Sequence, residues 1–157
     1  MSAHLKILLI YDKKMEVALF LIICFFVMPA MSSDRFMDHG DGTVTDTKTG
    51  LMWATTDNGI PINWQNSLQY CQNYSAGSHT DWRMPTLTEL ESLYDPGAEN
   101  KRGYHISNLI ETSTQSLWAS ETRGFEAARF NFAYGQVYWL RQSYFGPTRV
   151  LPVRGGN

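Results

Sequence analysis

The 157-residue chain has only two cysteines, and Cys24 lies in an N-terminal apolar stretch outside the body of the protein. Cys71 is left alone, so the body can close no internal disulfide. The four histidines (His4, His39, His79, His105) are scattered, and no Cys/His cluster has zinc spacing. There is no Gly-x-Ser-x-Gly elbow. Cys71 has no histidine near it in sequence. Glu89 and Glu91 would point to different sides of one helix. No catalytic constellation declares itself, and neither an enzyme nor a cofactor is expected. A net charge of −2 offers no overall attraction for nucleic acid or another polyanion. No repeat, low-complexity tract or linker divides residues 33–157, which read as one domain.

The N-terminus is of another kind. Lys13 and Lys14 precede an apolar run from Val17 to Met28, followed by Pro29. Ala30 and Ser32 sit where a small-residue cleavage site needs them. The run is about a dozen residues long, short of the roughly 20 a membrane span takes. The pattern predicts a cleaved secretory signal over residues 1–32, with Met15 an alternative start and an uncleaved anchor the competing reading. Ile23 before Cys24 is too bulky for a lipidation site. The expectation is an exported protein, periplasmic, surface-bound or secreted, that meets the membrane only through this segment.

Charge divides the body. Residues 33–100 carry three basic and ten acidic groups, net −7; residues 101–157 carry seven basic and three acidic, net +4. Six of those seven are arginine, suited to bidentate contact with sulfate, phosphate or carboxylate.

Periodicity predicts a hairpin of "TVTD" (43–46) and "GLMWA" (50–54), turning at Thr47–Thr49. "NWQNSLQYCQNYSAG" predicts a helix capped by Asn63 and stopped by Gly77, with Trp64, Leu68 and Cys71 on its apolar stripe. After the extended "DWRMPT", Thr86 and Glu89 form a capping box for a second helix that buries Leu87, Leu90, Leu93 and Tyr94. A long polar loop (95–115) leads to strands at 116–121, 127–132 and 136–141. A last strand at 149–155 carries Pro152, which belongs at an edge or bulge. The order predicts an α+β domain: hairpin, two helices, long loop, antiparallel sheet.

Two clusters invite a site. Asp38, Asp41 and Asp46 in "DHGDGTVTDTKTG" could be calcium ligands, but His39, Gly40 and Gly42 break the alternation, and Thr49 stands where a twelfth-position Glu belongs. The acidic residues read as turn formers, and no metal is expected. Trp53, Trp64, Trp82 and Trp118 read as core. Strand alternation places Val137, Trp139 and Arg141 on one side and Tyr138 and Leu140 on the other. With Arg123 and Arg129 on neighbouring strands, Arg123, Arg129, Tyr138, Trp139 and Arg141 are the candidate ligand residues, suited to a sulfated or acidic glycan or a surface protein. An ordinary protein interface fits the same residues, and a structural or oligomerisation module without a small ligand is the runner-up reading.

Five segments occur in a telling order: "DGTVTDTKTGLMWA", "WQNSLQYC", "DWRMPTLTELESL", "LWASE" with "ARFNFAYGQVYW", and the terminal "VRG". Over about residues 36–156 the chain thereby resembles the Lcl C-terminal domain family, a bacterial domain named for a collagen-like adhesin. The resemblance implies a C-type-lectin-like fold in exported or surface proteins, and adhesion or sulfated-polysaccharide binding for the founding member. The fold is related to that of formylglycine-generating enzymes, whose cysteine pair this chain lacks. The sugar-and-calcium tripeptides of animal C-type lectins are absent as well. Family members often carry a cysteine just before "VRG", able to pair with the helical cysteine of "LQYC". Here Pro152 takes its place, a loss of about 2–4 kcal/mol relative to a bridged relative.

Overall fold

The computed structural model describes residues 34–156, so the signal segment expected over residues 1–32 lies outside the described residues. The elements run β1 (Phe36–Asp38), β2 (Thr43–Asp46), β3 (Leu51–Ala54), α1 (Trp64–Gln72), α2 (Leu87–Leu93), β4 (Ser116–Arg123), β5 (Glu126–Asn131), β6 (Gln136–Arg141) and β7 (Val153–Arg154). The domain is α+β, with two helices and two antiparallel sheets, ordered β1-β2-β3-β7 and β4-β5-β6.

The hairpin of β2 and β3 forms where expected. Val44, Trp53 and Ala54 are fully buried. Asp46 O accepts the Thr49 and Gly50 N–H groups, and Gly50 takes the positive φ of 72° that this turn demands. The sequence pattern gave no sign of β1, which is only three residues long and follows β2 in the ladder through Phe36↔Asp46 and Asp38↔Val44.

Helix α1 starts at the expected cap: the Asn63 side chain accepts the Asn66 N–H at 2.9 Å. It ends at Gln72, a turn before Gly77, because Asn73 leaves helical geometry (φ −98°, ψ 0°) and the Tyr74 N–H closes back onto Cys71 O at 3.2 Å. Gly77 has a different task. A Cβ there would come within 3.0 Å of Asp41 Oδ2 and Thr43 Cγ2, so its bareness lets this segment lie against the start of β2. In α2 both halves of the predicted capping box are made: Glu89 N–H to Thr86 Oγ1, and Thr86 N–H to Glu89 Oε2.

The terminal strand is also placed differently from expectation. Arg149 bridges to Leu117 of β4, with Trp118 N–H donating to Arg149 O, but β7 pairs with β3 of the first sheet through Met52↔Arg154 and Trp53↔Val153. Val153 further exchanges two backbone hydrogen bonds with Arg83. Residues 149–154 therefore touch both sheets.

The second sheet has apolar side chains packed on both faces. Leu117, Ala119, Ala128 and Phe130, with Val137 and Trp139 beside them, join the main core around Trp53, Leu90, Leu93 and Ile110. Trp118 and Ala127, with Leu140 alongside, join a smaller cluster of Cys71, Met84 and Val150. The loop 95–115 is packed rather than loose. Ile106 and Ile110 are fully buried, and buried Asn100 accepts the Arg102 and Tyr104 N–H groups while donating to Thr112 Oγ1.

Candidate functional site

The register of the second sheet decides which candidate residues can meet. Arg129 lies opposite Tyr138 and Trp118, while Ala128 lies opposite Trp139, and Glu126 opposite both Arg123 and Arg141. Directly opposed residues share a face. Arg123, Trp139 and Arg141 therefore occupy one face near the β4–β5 turn, and Arg129 and Tyr138 occupy the other. The five residues expected to form one site are divided by the sheet itself.

On the first face, the Arg123 guanidinium carbon stands 4.4 Å from the centre of the Trp139 ring, and its Nε donates to Glu126 Oε2 at 2.8 Å. Trp139 is half-buried against the core, so the cation covers ring surface that a stacking sugar would need. Arg141 is exposed, and among the described residues it has no carboxylate within ion-pair distance. Phe125, at the hairpin tip, is 90% exposed; its carbonyl accepts the Gln142 N–H, which ties the segment after β6 to this tip. On the other face Arg129 lies 5.4 Å from the Tyr138 ring and 5.8 Å from that of Tyr144, and donates to Thr148 Oγ1 at 3.0 Å. Its Nε is buried without a partner.

The acidic loop resolves into separate local bonds. Asp38 Oδ1 accepts the Gly40 N–H, and Asp41 Oδ1 accepts both the N–H and the hydroxyl of Thr43. Asp46, fully buried, takes Arg35 Nε at 2.9 Å and Nη2 at 2.6 Å together with the Lys48 N–H. Burial opposes ionisation of Asp46, yet the guanidinium and this N–H outweigh it and hold the carboxyl below its ordinary range. Among the described residues, no three His, Cys, Asp or Glu side chains are grouped closely enough to hold a metal ion.

Cys71 is buried and unpaired, and burial pushes its thiol up to about 12, so it is protonated and unreactive near neutral pH. Of the four tryptophans read as core, Trp53, Trp82 and Trp118 are buried; Trp64 is half-buried, its Nε1 donating to Ala119 O at 2.8 Å.

The segment "DWRMPTLTEL" converges on the chain's end and on α2. Asp81 pairs with Arg154 at 2.7 Å, and Arg83 makes a two-pronged contact with Glu89 and donates to Gly155 O. Buried Trp82 donates to His79 O, Pro85 O accepts the Ser120 N–H, and the Glu121 carboxylate accepts the Leu87 N–H. Residues 42–154 match the Lcl C-terminal domain. The chain belongs to that family. Comparison with curated proteins finds no match. In this Lcl C-terminal domain the "DWR" and "VRG" segments are each other's partners: they clamp β7 to the start of α2. Their tryptophan, arginines and carboxylates are taken up by contacts within the fold. Two cavities, of about 350 and 340 Å³, lie along β1 and the 95–111 loop, away from every residue of the candidate set on the second sheet.

Proposed function

We propose that the protein is an exported, non-enzymatic binding domain of C-type-lectin-like fold that recognises a sulfated or carboxylated glycan through the Arg123–Trp139–Arg141 face. The observation that carries this reading is Arg141, a guanidinium at the surface with no carboxylate partner among the described residues, on the same face as an Arg123 steadied by an indole ring. The Trp139 ring serves as a support that limits the freedom of Arg123, so less entropy is lost when that guanidinium meets an anion. The exposed Arg123–Glu126 pair is weakly held and exchanges readily for a sulfate. Each contact is weak alone, so useful affinity needs several anions on one chain or several copies of the domain on one surface. Export is supported by the basic, apolar and small-residue order of the N-terminal segment, and adhesion by the family's namesake.

The test is retention on a heparin-type column. Wild type should be retained at low salt and released steeply as ionic strength approaches physiological values. Arg123→Ala with Arg141→Ala should elute early, whereas Arg129→Ala, on the opposite face, should elute with wild type. No retention of wild type, or equal retention of all three proteins, retires the glycan reading and leaves the structural-module reading in its place.

A further inference from the structure

We infer that the outer edge of β1 and the cavities beside it form a second binding site, which takes an extended, lysine- or arginine-bearing peptide as an added strand. β1 is an edge strand, paired on its inner side with β2 alone. Arg35 O accepts the Thr47 N–H at 2.8 Å, and the His39 N–H donates to Thr43 O at 3.1 Å. Antiparallel bonding alternates residue by residue, so Phe36 and Asp38, which lie between those two, turn their N–H and C=O groups to the outer side. Among the described residues no strand pairs with them there.

Those same two residues line the cavities. Phe36 borders the one of about 350 Å³ together with Asp95 and Glu99, and Asp38 borders the one of about 340 Å³ together with Glu111; Asn108 lines both. Side chains two apart on an added strand lie about 6.5 Å apart on one face, as Phe36 and Asp38 do, so alternate residues of a bound peptide would enter one cavity each. The charge of this groove selects the peptide. Its two cations are already engaged, Arg35 by Asp46 and Lys101 by Glu111. Asp38, Asp95 and Glu99 have no cationic partner among the described residues. The Asp38 and Asp95 carboxylates each accept one turn N–H and keep lone pairs free toward solvent. A polyanion is repelled here and an alternating basic strand is matched, the reverse of the face on the second sheet.

The test is fluorescence anisotropy with the full chain and a labelled peptide of alternating lysine and threonine. Binding should be saturable and weaken about tenfold or more in Asp95→Asn with Glu99→Gln, a loss worth roughly 1.4 kcal/mol. N-methylating alternate amides of the peptide leaves the protein and the charge untouched, and should weaken binding by about as much if backbone pairing is made. Arg123→Ala with Arg141→Ala should leave binding unchanged. Absence of saturable binding at low salt overturns the inference. Equal binding of the N-methylated peptide, or loss of binding in the Arg123 and Arg141 variant, overturns it as well.

Discussion

Around the first sheet, carboxylates find their partners close by: Asp38 with Gly40, Asp41 with Thr43, Asp46 with Arg35 and Lys48, Glu89 with Thr86 and Arg83. On the second sheet, Arg129 leans on two tyrosine rings, and Arg141 has no carboxylate partner among the described residues. The −7 and +4 of the two chain segments therefore do not neutralise each other across the fold. Among the described residues a single ion pair, Asp81 with Arg154, joins one segment to the other. Carboxylates near the first sheet are tied mostly to backbone N–H groups of turns and caps, while on the second sheet Arg123 pairs with Glu126 and Arg141, among the described residues, pairs with none. Net charge counted along the chain does not distinguish these uses; the distance to the nearest partner does.

The sharpest way to break the contrast is at Asp46. Asp46→Ala removes the carboxylate from the Arg35 guanidinium, leaving it only Ser92 O in a part-buried site, and should cost about 3 kcal/mol, read as a lower urea midpoint. The pH dependence carries the same sign. Asp46 and Glu89 are both held below their ordinary values: burial opposes this in each, and Arg35 or Arg83 outweighs it. Their contribution is therefore complete above the unfolded-state values, near pH 4, and is lost as pH falls through the depressed folded ones. Acid unfolding should be steep in wild type and shallower in Asp46→Ala. Thr86→Ala, which removes one half of the capping box while Glu89 keeps Arg83, should cost about 1 kcal/mol in the same titration. At the far end, Arg141→Ala should change stability by no more than about 0.5 kcal/mol, since among the described residues no carboxylate pairs with that exposed guanidinium. A large loss there would erase the contrast between the two sheets.

The features legible in the sequence are those whose partners lie a few residues apart. The Asn63 cap, the Thr86–Glu89 box, the β2–β3 turn and the β4–β5–β6 meander all carry local signals, and alternation along β6 correctly separates Val137 and Trp139 from Leu140. What escaped was register. Whether Arg129 faces the same way as Arg141 depends on the connection after β5, where Asn131 comes to oppose Gln136, and one residue more in that turn would have set Arg129 opposite Trp139. The β1 strand was hidden by its brevity. The pairing of β7 with β3 was hidden because its two halves lie about a hundred residues apart. The cavities beside β1 had no motif, since side chains from β1 and from a loop far along the chain meet only in the folded domain.

That distant pairing also sets an order of events. A chain leaving the ribosome can form the β2–β3 hairpin, the helices and the β4–β6 meander early, since each closes over short distances. The outer side of β3, the seat of Arg83 on Val153 and the Asp81–Arg154 clamp must all wait for Val153 and Arg154 to be synthesised. Contacts this far apart in sequence are slow to form, because a long loop must close before any of them gains. The nascent domain thus stays open along β3 until β7 has been added, and the fold locks only once that short strand has arrived.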